Sequence, residues 1–381
     1  METSVEAQPQ APERPEQMLD NKSILVTGGT GSFGQKFVRN LLDNHSPARI
    51  VVYSRDEMKQ WNMQNDLKDH PKKGLVRFFI GDVRDKDRLH RAFSGIDFVI
   101  HAAALKIVPA AEYNPFEFIK TNIMGAMNVI DCAIDQKVRR VIALSTDKAC
   151  NPINLYGATK LCSDKLFVAG NSYSRAPGTR FAVVRYGNVM GSRGSVIPLF
   201  WSLRHNEELP ITDENMTRFM ISLDMGVDLV LHALKDSVGG EIYVRKIPSM
   251  RVVDLAKTIA PRARLKIVGI RPGEKMHEQM ISPEDAEHTY EYGNHYKILP
   301  NLHDWHLDPK RIGNGRKCPT GFCYSSDKNQ EWMTTATLKE WLADEYGREN
   351  VDLPLGIPSH EKGWSSSLQE SAPRNKADFE I

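Results

Sequence analysis

Tyr156 and Lys160 stand four residues apart, and Thr146, Asp147 and Lys148 lie just upstream in the same run, Ser145-Thr146-Asp147-Lys148-Ala149-Cys150-Asn151-Pro152-Ile153-Asn154-Leu155-Tyr156-Gly157-Ala158-Thr159-Lys160. On a helix that spacing puts a phenol and an ammonium on one face. A tyrosine titrates near ~10 when unperturbed, and a neighbouring cation favours its phenolate, so the pair reads as a general base drawn toward working pH. Thr146 is placed to share a substrate hydroxyl's proton. By itself Tyr-x-x-x-Lys also describes an ordinary amphipathic helix face, so its setting decides its meaning.

That setting is a strand that ends in polar residues. The apolar run 141–144 has no polar alternation, as expected of a strand covered on both faces of a parallel sheet. Ligands of such sheets sit beyond the carboxyl ends of the strands, where Thr146, Asp147 and Lys148 fall. A helix is predicted to start after Pro152. Near the N-terminus, strand 23–27 runs into Gly28-Gly29-Thr30-Gly31-Ser32-Phe33-Gly34 and then a helix over 35–42. Strand, glycine turn and helix form a variant of the dinucleotide fingerprint, with main-chain N–H groups of Gly28, Thr30, Gly31, Ser32, Phe33 and Gly34 around a pyrophosphate.

The next strand, 49–53, chooses the cofactor. An acid at its end accepts from the ribose hydroxyl of NAD, whereas a cation suits the phosphate of NADP. Ser54 and Arg55 come first and Lys59 follows a turn later, which points to NADP, although Asp56 and Glu57 also allow a plain charged turn. Strand 76–80 leads to Asp82 and Val83, an adenine contact or, for Asp82, a cap on a helix over 84–93. Strand 97–100 leads to His101-Ala102-Ala103-Ala104-Leu105-Lys106. The alanines let the chain pass close to the cofactor, His101 reads as a buried packing residue, and Lys106 as an anion contact or a surface lysine. A helix over 116–136 carries apolar residues at helical spacing, to cover the sheet and support a subunit interface.

Strand 180–186 precedes a glycine-rich polar loop that holds Asn188, Arg193 and Ser195, where a substrate would meet the cofactor. Arg218 and Arg271 place cations opposite the cleft for a diphosphate, and Glu274 is suited to ribose hydroxyls. Charged surface is the competing reading of the 271–275 loop.

The sequence therefore predicts an α/β chain, a Rossmann-type doubly wound parallel sheet with a smaller C-terminal substrate-binding lobe. Residues 1–20 read as a disordered extension, 21–190 as the NADP-binding domain with 222–245 returning to it, 191–221 and 246–345 as the second lobe, and 346–381 as a polar tail. Fifty basic and 48 acidic residues leave a charge of +2, which offers no global field for nucleic acid or a membrane surface. The five cysteines lack paired metal spacing, so no metal site and reduced thiols are expected. Without a long apolar run or a leader pattern, a soluble cytoplasmic protein is expected.

Together these residues resemble the extended short-chain dehydrogenase/reductase superfamily. The run 145–160, Arg185-Tyr186-Gly187-Asn188-Val189 and Gly269-Ile270-Arg271-Pro272-Gly273-Glu274-Lys275 look like the configuration-inverting UDP-N-acetylglucosamine 4,6-dehydratases that begin pseudaminic acid and related sugar biosynthesis. Retaining relatives carry Asp-Glu where this chain has Asp147-Lys148, and membrane-anchored ones commonly have methionine in place of Tyr156. The resemblance implies UDP-N-acetylglucosamine as substrate, a homo-oligomer, and an internal redox cycle. Tyr156 takes the C4 hydroxyl proton, hydride passes to NADP and returns at C6, Lys148 removes the C5 proton and Asp147 assists loss of water, though the last two could exchange roles. A basic Lys148 must be neutral part of the time, and lowering its pKa from about 10.4 to near 7.5 costs roughly 4 kcal/mol. Lys160 is expected to stay charged. The rivals are a UDP-sugar epimerase, which needs the Tyr156–Lys160 pair but no acid and base for water loss, and a non-catalytic NADP-sensing protein, which needs neither.

Overall fold

Branched apolar residues with no exposed face make the central strands: in Ser23–Thr27 (β1), Ile24, Leu25, Val26 and Thr27 are all fully buried. A computed structural model describes residues 18–174 and 178–351 of the chain. Alongside β1 run Arg49–Ser54 (β2), Val76–Ile80 (β3), Phe98–His101 (β4), Arg140–Thr146 (β5), Arg180–Tyr186 (β6) and Ile242–Arg245 (β7). These pair in parallel in the spatial order β3-β2-β1-β4-β5-β6-β7. The winding reverses beside β1, and the crevice there, outside the carboxyl ends of β1 and β4, is where such sheets bind ligands.

Helices cover both faces, among them Ser32–Asn44 (α1), Glu57–Asp66 (α2), Lys86–Ala92 (α3), Gly125–Asp135 (α4), Leu155–Tyr173 (α5) and Leu223–Asp236 (α6). The predicted doubly wound sheet is present, with β7 paired to β6 and α6 packed on β5 and β6. Beyond β7, however, Thr289–Glu291 (β8), His295–Ile298 (β9) and Arg316–Lys317 (β10) extend the sheet antiparallel. The stretch 246–345 is thus shared between sheet and lobe, because an edge strand left open at β7 would expose unpaired backbone. The lobe has a core of its own, in which Ile197, Phe200, Leu209, Met220, Leu255 and Leu338 are buried.

The helix predicted over 116–136 is broken. A short turn, Pro115–Phe118, leads into a π-helical segment, Ile119–Met124, before α4 begins. The widened segment carries buried Asn122, whose Nδ2 donates to Leu105 O at 2.9 Å and Thr159 Oγ1 at 3.0 Å, while its Oδ1 accepts from Leu105 N at 2.9 Å. One side chain thereby ties the loop after β4 to α5.

Order begins before residue 21, since Leu19 is buried in the main core; 1–17 lie outside the described residues. At the other end the predicted tail starts late. Tyr346 closes the helix Thr335–Tyr346 and stacks on Trp201 at 4.3 Å, and 352–381 lie outside the described residues. No helix among the described residues is long and apolar enough to cross a membrane.

Candidate active site

The glycine turn after β1 leaves room that side chains would fill. Gly28 has φ +64°, a left-handed conformation, and a Cβ there would lie 2.8 Å from the Ala103 backbone. A Cβ on Gly34 would come within 2.5 Å of the Gly29 backbone, so the first turn of α1 packs directly on the loop. Gly31 caps α1 with no side chain and no acid lies in its first turn, which leaves N–H donors and positive potential free for a pyrophosphate. The residues present fit a dinucleotide. Ala103 N donates to Thr27 Oγ1 at 3.3 Å, which draws the loop of Ala102, Ala103 and Ala104 across the turn. His101 is buried against Thr27 Oγ1 at 2.9 Å, and burial, then the Lys160 charge, push its pKa down to about 3. It is the neutral packing residue that the sequence predicts.

At the end of β2 the cations are less free than expected. Ser54 Oγ accepts from the buried Gln60 amide at 3.0 Å, and Lys59 pairs with Asp56 at 2.9 Å. Arg55 is half-exposed and lies 3.4 Å from Asp82. Asp82 does not cap a helix over 84–93. The helix, α3, starts at Lys86 and is capped by Asp85, which accepts from Arg88 N at 2.9 Å. Asp82 instead accepts from Arg84 Nε at 2.9 Å; burial opposes its charge, but Arg84 and Arg55 hold its carboxyl below the usual range. Buried Val83 packs against Gly125, where a Cβ would lie 2.8 Å from its Cγ2.

β5 and α5 bring the acid–base residues together. Asn154 caps α5 by accepting from Gly157 N at 2.7 Å, and its Nδ2 donates to Gly273 O at 2.7 Å, fastening the 271–275 loop over the helix start. Lys275 Nζ adds a second tie, to Cys150 O at 2.7 Å. A Cβ on Gly157 would sit 2.2 Å from Lys148 O, so only glycine lets the helix approach the turn Asp147–Ala149 this closely. Below, Ser145 Oγ donates to Asp164 Oδ2 at 2.7 Å and Arg185 pairs with the same oxygen at 3.3 Å, a buried support for Lys160.

Asp147 is 1% exposed and Glu278 2%, and Lys148 Nζ lies between them, 3.1 Å from Asp147 Oδ1 and 3.0 Å from Glu278 Oε1. Thr146 Oγ1 donates to Asp147 Oδ1 at 2.9 Å. Burial opposes the Lys148 charge, yet the two carboxylates outweigh it and hold the ammonium above the usual lysine range. This reverses the lowered pKa expected from sequence, because Glu278, 130 positions away in the chain, contributes a second negative charge. Burial, then Glu278, raise Asp147, and the Lys148 charge acts against them. Tyr156 is pushed up to about 12 by burial, and the cation that opposes this is Lys148, followed by the Thr146 hydroxyl, rather than Lys160. Lys160 is itself lowered by burial, with Asp164 acting against that.

The other predicted contacts are placed unevenly. Lys106 is exposed, and its pKa is lowered by desolvation and by the Lys148 charge. Arg218 is nearly buried and turned toward Glu278 at 3.8 Å, so it does not stand free opposite the cleft. Asn188 Oδ1, Ser195 Oγ and Glu274 Oε2 are buried with no hydrogen-bond partner among the described residues, as groups awaiting a polar ligand would be. Arg193 is exposed, and Arg271 is exposed with its guanidinium 4.0 Å from Glu274. Among the described residues no group of three or more His, Cys, Asp or Glu side chains could hold a metal. Sequence reasoning missed Glu278, Asn122 and Asp164, although Glu278 lies three residues past Lys275 and Asp164 one helical turn past Lys160.

A model of the polysaccharide biosynthesis protein family matches residues 24–300, which span the glycine turn, the catalytic run and the 271–278 loop. The chain belongs to this family. A Campylobacter jejuni (strain 81-176) relative named UDP-N-acetylglucosamine 4,6-dehydratase (inverting) is 53% identical over 84% of this chain and 97% of its own. A Rickettsia bellii (strain RML369-C) relative named UDP-glucose 4-epimerase is 44% identical over 88% of this chain and 99% of its own. Among solved structures, Pen from Bacillus thuringiensis matches with a TM-score of 0.78 at 35% identity, covering 86% of this chain and 99% of that one. DesIV, a dTDP-glucose 4,6-dehydratase from Streptomyces venezuelae solved with NAD bound, matches at TM-score 0.58 and 25% identity over 67% and 86% of the two chains. The family thus holds both chemistries that the sequence left in competition, and the side chains around Lys148 have to separate them.

Proposed function

We propose that this enzyme is a UDP-N-acetylglucosamine 4,6-dehydratase that inverts C5 and recycles NADP. The reading is carried by the buried Asp147–Lys148 pair beside the Tyr156 phenol. Loss of water across C5 and C6 needs an acid and a base beyond the tyrosine, whereas epimerisation at C4 needs neither. The Campylobacter relative, named for this reaction, supports the substrate. The glycine turn and the free N-terminus of α1 would hold the pyrophosphate, Asp82 and Val83 the adenine, and Arg55 the ribose phosphate. When bound, the nicotinamide supplies a store for the hydride that leaves C4 and returns at C6.

Tyr156 takes the C4 hydroxyl proton, with Thr146 and the Lys148 charge favouring the phenolate. The resulting ketone acidifies C5, Lys148 removes that proton, and Asp147, whose affinity for a proton burial raises, gives one to the departing C6 hydroxyl. Lys106, Arg193 and Arg271 supply positive charge for the diphosphate, Glu274 accepts from the ribose, and Asn188 and Ser195 hydrogen-bond the sugar. Arg218 belongs with the acid–base set instead. Exposed Phe116, Met124 and Met127 lie in the segment 116–136 expected to support a subunit interface, which favours a homo-oligomer.

The test is an NMR spectrum of purified protein with NADP and UDP-N-acetylglucosamine in deuterated water. A C4 ketone, a C6 methyl and deuterium at an inverted C5 are expected. A product of unchanged mass with only C4 altered would make the protein an epimerase.

A further inference from the structure

Lys148 meets Glu278 on a segment held from its far side by Thr217 and Ser326. Glu278 N donates to Ser326 Oγ at 2.9 Å, and Ser326 and His277 both bond Thr217 Oγ1, at 2.7 and 2.8 Å. The carboxylate is 2% exposed; one oxygen faces Lys148 at 3.0 Å and the other is buried with no hydrogen-bond partner among the described residues. Resting on the dehydratase reading, we propose that Glu278 is a positioning and proton-holding residue that acts through Lys148: it accepts one ammonium proton, freeing the amine to take the proton from C5.

The protons balance. For water loss Asp147 has to hold a proton, with Glu278 ionised and Lys148 charged. Transfer of one proton from Lys148 Nζ to Glu278 Oε1 turns an ion pair into a neutral amine and a neutral acid, with no net charge moved into the buried site. The amine then takes the C5 proton and becomes an ammonium again, the carbon left as the enolate of the C4 ketone. Asp147 protonates the C6 hydroxyl as its C–O bond breaks, and water leaves. The C4 hydroxyl proton, taken earlier by Tyr156, equals the one that Asp147 gives up, so return of a proton to C5 restores the set.

Surrounding charges keep the proton on Lys148 between turnovers and set the two carboxyl groups apart. Burial raises Asp147, with Glu278 adding to it; for Glu278 burial acts in the same sense, but Lys148 and then Arg218 overcome it and hold the carboxyl below its usual value. Lys275 also acts on Glu278, while Lys106, Asp147 and Tyr156 are the other titrating groups whose charges interact with Lys148. Two carboxyl groups facing one amine with their pKa values driven apart is the arrangement that assigns one as acid and the other as proton acceptor.

The experiment uses full-length wild type, Glu278→Gln and Glu278→Asp with NADP and UDP-N-acetylglucosamine. Nicotinamide absorbance follows oxidation at C4, and NMR in deuterated water follows C5 exchange and water loss, across pH 6 to 9. In E278Q, oxidation at C4 is expected to persist while C5 exchange falls about a hundredfold. Its residual exchange should rise with hydroxide about tenfold per pH unit, where wild type is flat, because solvent then has to deprotonate Lys148. Wild-type exchange in E278Q, or a loss with the wild-type pH profile, overturns the proposal. If E278Q also loses oxidation at C4, E278D decides: a flat profile supports proton acceptance and a hydroxide-dependent one refutes it. Absence of a keto-deoxy product from wild type would instead remove the dehydratase reading itself.

Discussion

Replacing Lys148 by methionine should make the fold acid-loving. Asp147 Oδ1 and Glu278 Oε1 each lie about 3 Å from the lysine nitrogen, hence at most about 6 Å from each other. With an effective dielectric constant of about 20, two bare charges at that distance repel by roughly 2.8 kcal/mol, about two pKa units. Arg218, 3.8 Å from Glu278, keeps that carboxylate ionised, so Asp147 bears the shift. Removing one partner from a buried ionic set costs about 3–5 kcal/mol at neutral pH. Because the folded Asp147 would then bind its proton far more tightly than the unfolded one, stability rises as pH falls through the raised folded pKa and levels off near the unfolded value. Denaturant melts of Lys148→Met and wild type at pH 7.5 and pH 5 measure this directly. The gap between them should shrink by about 2–3 kcal/mol at the lower pH. An equal gap at both values would mean that the two carboxylates do not share the lysine.

The remaining predictions address the separate parts of the site. Tyr156→Phe should bind cofactor normally and lose turnover by about 10²–10⁴-fold, without the absorbance change of a reduced nicotinamide; retained activity would remove Tyr156 from the mechanism. Lys148→Ala should oxidise C4 yet fail to exchange the C5 proton for deuterium, and normal exchange would refute its role as base. Arg55→Ala should weaken NADP more than NAD in titrations, whereas equal losses would undo the phosphate assignment. Gly157→Ala forces a methyl into the Lys148 carbonyl and should cost about 1–3 kcal/mol of stability, seen as a lower Tm, with activity falling alongside. An unchanged Tm would show that the helix start can move away freely.

What was legible in the sequence was local. Tyr156 and Lys160 share a helix, Thr146, Asp147 and Lys148 follow one strand, and the glycines from 28 to 34 follow another, so period and chain proximity were enough to place them. The parallel sheet was legible for the same reason, since strands buried on both faces are continuous apolar runs. The continuation of the sheet into β8, β9 and β10 was not, because short edge strands of mixed polarity, such as Thr289–Glu291, carry no such signal. Nor was the protonation of Lys148. A pKa depends on charges within a few ångströms in space, and Glu278 and Arg218 reach the site only because the chain folds the 277–278 segment against Thr217 and Ser326. Residue types thus named the reagents, while the tertiary structure alone set their charges.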